Sequence, residues 1–397
     1  MASNSLLTPA IITKETLVIL ANNLVAAAKV NRQFENQFAK IGSTLTVRKP
    51  NRYTVSSGPG LQIQNVTEPS TSITISNQNH VDFQFTSQDL TLTIEEFSER
   101  YLKPAAEALA NVIDYSVISN FSQVQNVVGT PGTAPNNFSF LAAVGQRMDE
   151  NAVPQDGRTL ILNPAAYWGL ANGLSVLYVR SVAEPALKGF LAMIANFEIY
   201  MDQNIQTQTQ GAFAGTGVVN GANQTGSQIV TNGWTPSITG LFNVGDSITF
   251  AGVFNINPQS RQSTGVLANF VVTAAANSDS GGNSTISIYP SITTSGAYQT
   301  VSGSPANLAR VNINPSTASA STAYAQNLAF VRDAFGLVTV PMELPDGVDF
   351  RAREMFKNIS MRVIRAYDVN NDTYPCRTDI LFGTSCFYPE LSCRLTG

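Results

Sequence analysis

Helical periodicity is sustained longest from Thr93 to Val124, where Leu102, Ala106, Leu109, Ile113, Val117 and Phe121 recur at steps of three or four. Residues so spaced share one face, so the stretch predicts a helix with a single apolar stripe. Thr93 and Glu96 have capping-box spacing, and Glu99 stands four residues before Lys103, the spacing of an on-face ion pair. Pro104 predicts a kink or restart. Beyond it about twenty residues remain, a rod of roughly 30 Å. An ordinary core helix would show this pattern. The neighbouring segments favour a spine with a different sheet at each end.

Before the spine, Thr13 can cap a helix to about Phe34 with Leu17, Leu20, Leu24 and Ala28 on one side. Thr44 to Thr54 alternates, and its Arg48, Lys49, Pro50 break reads as a strand or an extended crossing segment. Gly58, Pro59 and Gly60 then open a polar excursion to about Asp89 with strand-like runs at Ile73–Ile75 and Val81–Phe85. The expectation is a protruding two-stranded loop supported by another subunit, since an isolated hairpin is marginal.

After the spine come a turn-rich break at Gly129–Asn137, a helix around Phe140–Met148 and a strand at Arg158–Leu162. Asn163 and Pro164 mark a helix start, with Leu187–Ile194 helical and Phe197–Met201 a strand. From Gln203 to Phe330 the composition changes: four charged residues, Asp246, Arg261, Asp279 and Arg310, in 128 positions. Short alternating runs at Ser247–Phe250, Asn269–Thr273 and Thr285–Tyr289 predict a small inserted β-barrel or sandwich. Regularly placed Phe250, Phe254, Phe270, Ile286 and Ile288 argue against the alternative, a disordered linker. Asn370–Asp372 predicts a hairpin turn, and Arg377–Gly383 with Leu391–Leu395 is expected to close one antiparallel sheet.

Composition narrows the chemistry. Over 397 residues only 13% are charged, and the net charge of −4 excludes a strongly basic nucleic-acid binder. Residues 1–52 nevertheless carry seven Lys or Arg against Glu15 and Glu35, a net of +5, which leaves −9 for the remainder. A basic arm on an acidic body suits a neighbouring copy, an acidic partner or DNA, though a solvated face would look the same. Cys376, Cys386 and Cys393 include no CxxC pair and His80 is the single histidine, so metal and thiol-nucleophile readings are poor. An odd set of strand-placed thiols and the lack of a signal-like start point to a reduced cytoplasm. The apolar run Leu17–Ala28 is too short for a membrane span. Glu95 and Glu96 diverge around a helix and cannot act as a paired acid and base. Gly215, Gly217 and Gly221 imitate a dinucleotide fingerprint but lack the flanking strand and helix, which leaves a flexible junction. No cofactor, metal or catalytic set is expected.

Two stretches carry a resemblance. GDSITFAGVFNINP (Gly245–Pro258) with the residues that follow it, and the end ISMRVIRAYDVNNDTYPCRTDILFGTSCFYPELSCRL, resemble the major capsid (coat) proteins of tailed double-stranded DNA bacteriophages, of the podophage type with an inserted β-barrel. With RTLILNPAAYWGL and the spine helix, the resemblance covers essentially the whole chain. It implies a Hong Kong phage-type α+β capsid fold: N-terminal arm 1–54, extended loop 55–89, spine helix and peripheral domain 90–200, axial domain 201–215 and 317–397, and inserted β-barrel 216–316. The implied function is self-assembly into pentamers and hexamers of an icosahedral head around the DNA, with the DNA contacted only non-specifically. The implied partners are a separate scaffolding protein, because no long scaffolding segment precedes the arm, a portal protein and a possible decoration protein. No membrane is involved. Inter-subunit contacts are expected at Arg48, Lys49, Arg52, Glu68 and Asp82, and at Asp246 and Arg261 of the insertion. No lysine lies between Val55 and Asp89, so a covalent loop crosslink is not expected. The alternative is a secreted or surface β-rich adhesin, and an enzyme such as a depolymerase lacks paired carboxylates.

Overall fold

The computed structural model describes residues 9–33, 44–64, 68–86, 103–174, 193–348, 350–356 and 359–397. The Thr93–Glu96 cap, the Glu99 partner of Lys103, and Glu95 lie outside the described residues, as does most of the helix expected at Leu187–Ile194. The chain divides into two compact units: 1–47, 70–117 and 335–387 in one, and 48–69, 118–334 and 388–397 in the other.

In chain order the elements open with α1 (Pro9–Asn23), β1 (Thr44–Arg48), β2 (Ser70–Thr74), β3 (Asn77–Thr86) and α2 (Lys103–Ile118). There follow β4 (Val127–Gly129), α3 (Phe138–Glu150), β5 (Arg158–Leu162), α4 (Pro164–Leu174), β6 (Met193–Ile194), β7 (Phe197–Met201) and β8 (Thr207–Thr209). The low-charge stretch holds β9 (Gly215–Val219), β10 (Gly226–Trp234), β11 (Ser247–Phe250), β12 (Phe254–Ile256), β13 (Ser263–Leu267), β14 (Phe270–Val272), β15 (Ser284–Ile292) and β16 (Val311–Asn314). The chain closes with β17 (Ala323–Val331), β18 (Phe335–Thr339), β19 (Phe350–Phe356), β20 (Ile359–Arg365), β21 (Thr373–Cys386) and β22 (Ser392–Thr396).

The first unit is built on a sheet in the order β18-β21-β20-β19, with β3 also pairing β21. The apolar stripe of α2 is buried as its spacing predicts: Ala106, Leu109, Ile113 and Val117 are each 2% exposed or less. Asp114, three residues before Val117, falls on the same side and is also buried. Its carboxylate accepts from the backbone amides of Val25 at 2.8 Å and Ala27 at 2.7 Å. Those amides are thereby taken out of helical bonding, so α1 ends at Asn23 instead of continuing to Phe34. Thr13 lies within α1, fully buried, and is not its cap. Asn31 then bridges to β18, donating to the Phe335 carbonyl at 3.0 Å and accepting from Leu337 at 3.0 Å.

The expected protruding hairpin does not form from its two runs. β2 pairs β1, while β3 lies antiparallel along β21 from Asn77↔Phe382 to Thr86↔Thr373. A ten-residue strand leaves a row of unpaired backbone groups if it projects alone, and the long β21 satisfies them. His80 and Asp82 therefore belong to a sheet, opposite Asp379 and Arg377.

In the second unit the mixed sheet runs β4-β22-β17-β5-β7-β6, with β8 also pairing β17. β5 and β7 are parallel, joined through α4, whose N-cap is Asn163: its side-chain oxygen accepts from Ala166 at 2.9 Å. Leu141, Val144 and Met148 of α3 and Ala166, Leu170 and Leu174 of α4 pack with Leu160, Leu162, Phe197 and Ile199 of this sheet. Met193 and Ile194, expected to end a helix, pair instead with β7 as strand. β22 pairs β17 antiparallel and β4 parallel, so β21 and β22 belong to different sheets and do not close one together.

The inserted strands form a sheet in the order β16-β11-β14-β15-β10-β9 around a core of its own, including Trp234, Phe242, Phe250, Phe270, Ile286 and Ile288. Gly217 is required by that core, because a Cβ there would stand 2.0 Å from the Trp234 ring. Gly215 and Gly217 thus lie in a packed strand and not in a flexible junction.

Candidate assembly surfaces and the root of the insertion

Residues 49–64 run without regular secondary structure and without a core of their own. The base of this loop is pinned by polar contacts. The Lys49 amide donates to the Pro69 carbonyl at 2.8 Å, and its ammonium stands 4.8 Å from the centre of the Tyr388 ring. Arg52 pairs with Glu390 at 3.4 Å, and Arg48 with Glu68 at 2.9 Å. Further out, the Thr54 amide donates to the Gln64 side chain, whose own amide returns to the Thr54 carbonyl. On the loop these clasps hold, Tyr53, Val55, Leu61 and Ile63 are exposed by 60, 98, 88 and 85%. Four large apolar groups on one short loop form a surface to be covered by something else. Among the expected contact residues, Arg48, Lys49, Arg52 and Glu68 gather at this base; Asp82 is elsewhere, paired with His80 at 2.9 Å.

Asp246 is a correction. It was expected at a contact between subunits, yet it is 1% exposed. Its two oxygens accept from the amides of Asn243 at 2.8 Å and Gly211 at 2.9 Å and from the Gln208 side chain at 3.1 Å. Burial raises its pKa above the ordinary carboxylate value, with these hydrogen bonds and the Arg394 charge opposing the shift. Arg394, on β22, is buried beside the Phe121 ring and donates to the Gly245 carbonyl at 2.7 Å. Desolvation pushes its guanidinium down to about 10 while the Asp246 charge resists. Asp246 and Arg394 are thus both buried at the point where the insertion leaves the host sheet, within range of each other's charge. Sequence reasoning missed Arg394, which reads as an ordinary strand residue between Cys393 and Leu395.

The remaining charges of the insertion stay near its surface. Arg261 has φ of 58° and donates to the Gly296 carbonyl at 2.7 Å. Asp279 organises its own turn, accepting from the Asn283 side chain at 2.9 Å and from the amides of Asn283 and Gly281 at 2.8 Å each, and these bonds, the Asn283 side chain first, lower its pKa. On its other side the insertion meets α3 through polar groups: Asn257 donates to the Glu150 carbonyl, and Arg147 donates to that of Leu267, each at 3.1 Å. All three cysteines are free and buried. Among the described residues there is no group of three or more His, Cys, Asp and Glu able to hold a metal, and no helix is long and apolar enough to cross a membrane.

An α+β chain that exposes four large apolar side chains on one loop carries a surface suited to association with another protein surface. The family described as "P22 coat protein - gene protein 5" matches residues 1–397, and the chain belongs to it. It is the major capsid protein of a tailed phage, forming the icosahedral head through capsomers of its own copies. No curated protein matches the sequence. Among solved structures, Mycobacterium phage Che8 is 12% identical with a TM-score of 0.49, covering 94% of this chain and 90% of its own. The capsid of Ralstonia phage GP4 is 8% identical with a TM-score of 0.46, covering 92% and 85%. Mycobacterium phage Ogopogo is 10% identical with a TM-score of 0.45, covering 94% and 91%.

Proposed function

We propose that the loop at residues 49–64 is a contact through which one copy of this coat protein grips the next. Its carrying observation is the outward exposure of Tyr53, Val55, Leu61 and Ile63 on a loop held by two polar clasps. Burying an exposed Val, Leu or Ile side chain gains about 1.5–3 kcal/mol. Contacts of that size are individually reversible, so misplaced copies can leave, and their number per copy makes the closed shell durable. Arg48, Lys49, Arg52 and Glu68 keep the loop posed, and Arg261 offers a charge for contacts of the insertion. Assembly takes place in the host cytoplasm on a separate scaffolding protein received by the basic arm or another inner-face basic patch, around a portal, with the DNA held non-specifically and a decoration protein a possible addition outside. The working division is arm 1–54, extended loop 55–89 with its β3 strand laid along β21, spine and peripheral domain 90–200, axial domain 201–215 and 317–397, and insertion 216–316.

The test is a Val55→Ser, Leu61→Ser, Ile63→Ser variant, co-expressed with the neighbouring phage genes and viewed by negative-stain electron microscopy. A folded chain, by circular dichroism, that stays as monomers or small oligomers supports the reading. Closed particles in wild-type yield overturn it.

A further inference from the structure

At the root of the insertion the structure leaves a narrow polar recess with about 10 Å³ for the centre of a water molecule. Gly245, Ser247 and Asn314 line it from the inserted strands, and Gln326 and Arg394 line it from β17 and β22 of the host sheet. Gln210, on the segment leading from β8 into the insertion, completes the polar wall.

Four polar atoms of these residues are buried and without a hydrogen-bond partner: Nε and Nη2 of Arg394, Oε1 of Gln210 and Oε1 of Gln326. The three side chains belong to residues 1, 6 and 1% exposed, respectively. Other bonds fix the orientations of Arg394 and Gln326. Arg394 spends its third nitrogen on the Gly245 carbonyl at 2.7 Å, and the Gln326 amide donates to the Tyr324 carbonyl at 3.2 Å, so its oxygen remains the acceptor.

We infer that this recess binds one ordered water that accepts from Arg394 and donates to Gln210 and Gln326. Two donors and two acceptors match the full hydrogen-bonding capacity of a single water, and the space is the least that holds one. The same set rejects ions. An anion drawn to the guanidinium would meet two amide oxygens. A cation would meet that guanidinium. The bound water ties the segment entering the insertion to the two host strands that receive it, so the joint is polar and bridged where a dry joint would be packed by side chains.

The experiment is a density map of the assembled wild-type shell at a resolution that shows other buried waters. The expected result is one water-sized peak about 2.8 Å from Arg394 and from both glutamine oxygens. In a Gln210→Leu, Gln326→Leu variant that still assembles, the peak is lost. Absence of the peak in the wild type overturns the inference. So does a heavier peak touching Arg394 but standing off the amide oxygens, which would be a halide. An unchanged peak in the double variant overturns it as well. None of these outcomes bears on whether the chain forms shells.

Discussion

Replacing Asp246 by alanine isolates the internal role of the residue from its expected role at a subunit contact. The change strands the Gly211 and Asn243 amides, which now donate at 2.9 and 2.8 Å, and leaves Arg394 as a buried cation without its counter-charge. Each stranded amide costs about 1–3 kcal/mol. These losses overlap, because the Gln208 side chain and entering water relax into the gap, so a net cost of about 3 kcal/mol is the working figure. At about 1.4 kcal/mol per tenfold, local opening of the insertion root should become roughly 10²-fold more frequent. Amide hydrogen exchange of the unassembled chain reads this directly in peptides spanning 208–212 and 242–247. Arg261→Glu serves as control, since its guanidinium donates only to the Gly296 carbonyl within the insertion and should leave those peptides unchanged. If folded Asp246→Ala exchanges within threefold of the wild type there, the Asp246 carboxylate is not holding the root.

Other consequences are open to equally direct checks. Because burial raises the folded-state pKa of Asp246 and Asp202 above 3.8, the stabilisation from their protonation is present below the unfolded value and lost as pH rises through the folded value. Asp246→Asn should therefore flatten the stability profile of the unassembled chain over the range above 3.8, and an unchanged slope by thermal melts would refute this. Gly217→Ala drives a methyl into the Trp234 ring and should destabilise the insertion by about 1–3 kcal/mol, read by tryptophan fluorescence in urea. The Cys376 and Cys393 thiols, pushed up to about 11 and about 12 by burial, should resist alkylation at pH 8 until the chain unfolds. With no lysine between Val55 and Asp89, shells should dissolve to single-chain bands in denaturing gels, and a ladder of ring-sized species would contradict that.

What the sequence by itself determined was local and periodic. The buried stripe of α2, the strands at 158–162, 197–201 and 247–250, and the Asn163 cap are set by residues within a few positions of one another, and period and capping chemistry record them. The change in charge density also marked the insertion, since a small separate core with few charges leaves a compositional trace. Only the tertiary structure decided which strand meets which. Runs such as Val81–Phe85 and Leu391–Leu395 carry alternation but no address, and any open edge satisfies their backbone groups. β3 therefore went to β21 and β22 to β17, against the pairings expected from their order. The same holds for Asp246. In sequence it is one of four charges on a polar segment. Its burial depends on Gln208, Gly211 and Arg394, from 35 to well over a hundred residues away, and only the closed fold brings them to its carboxylate.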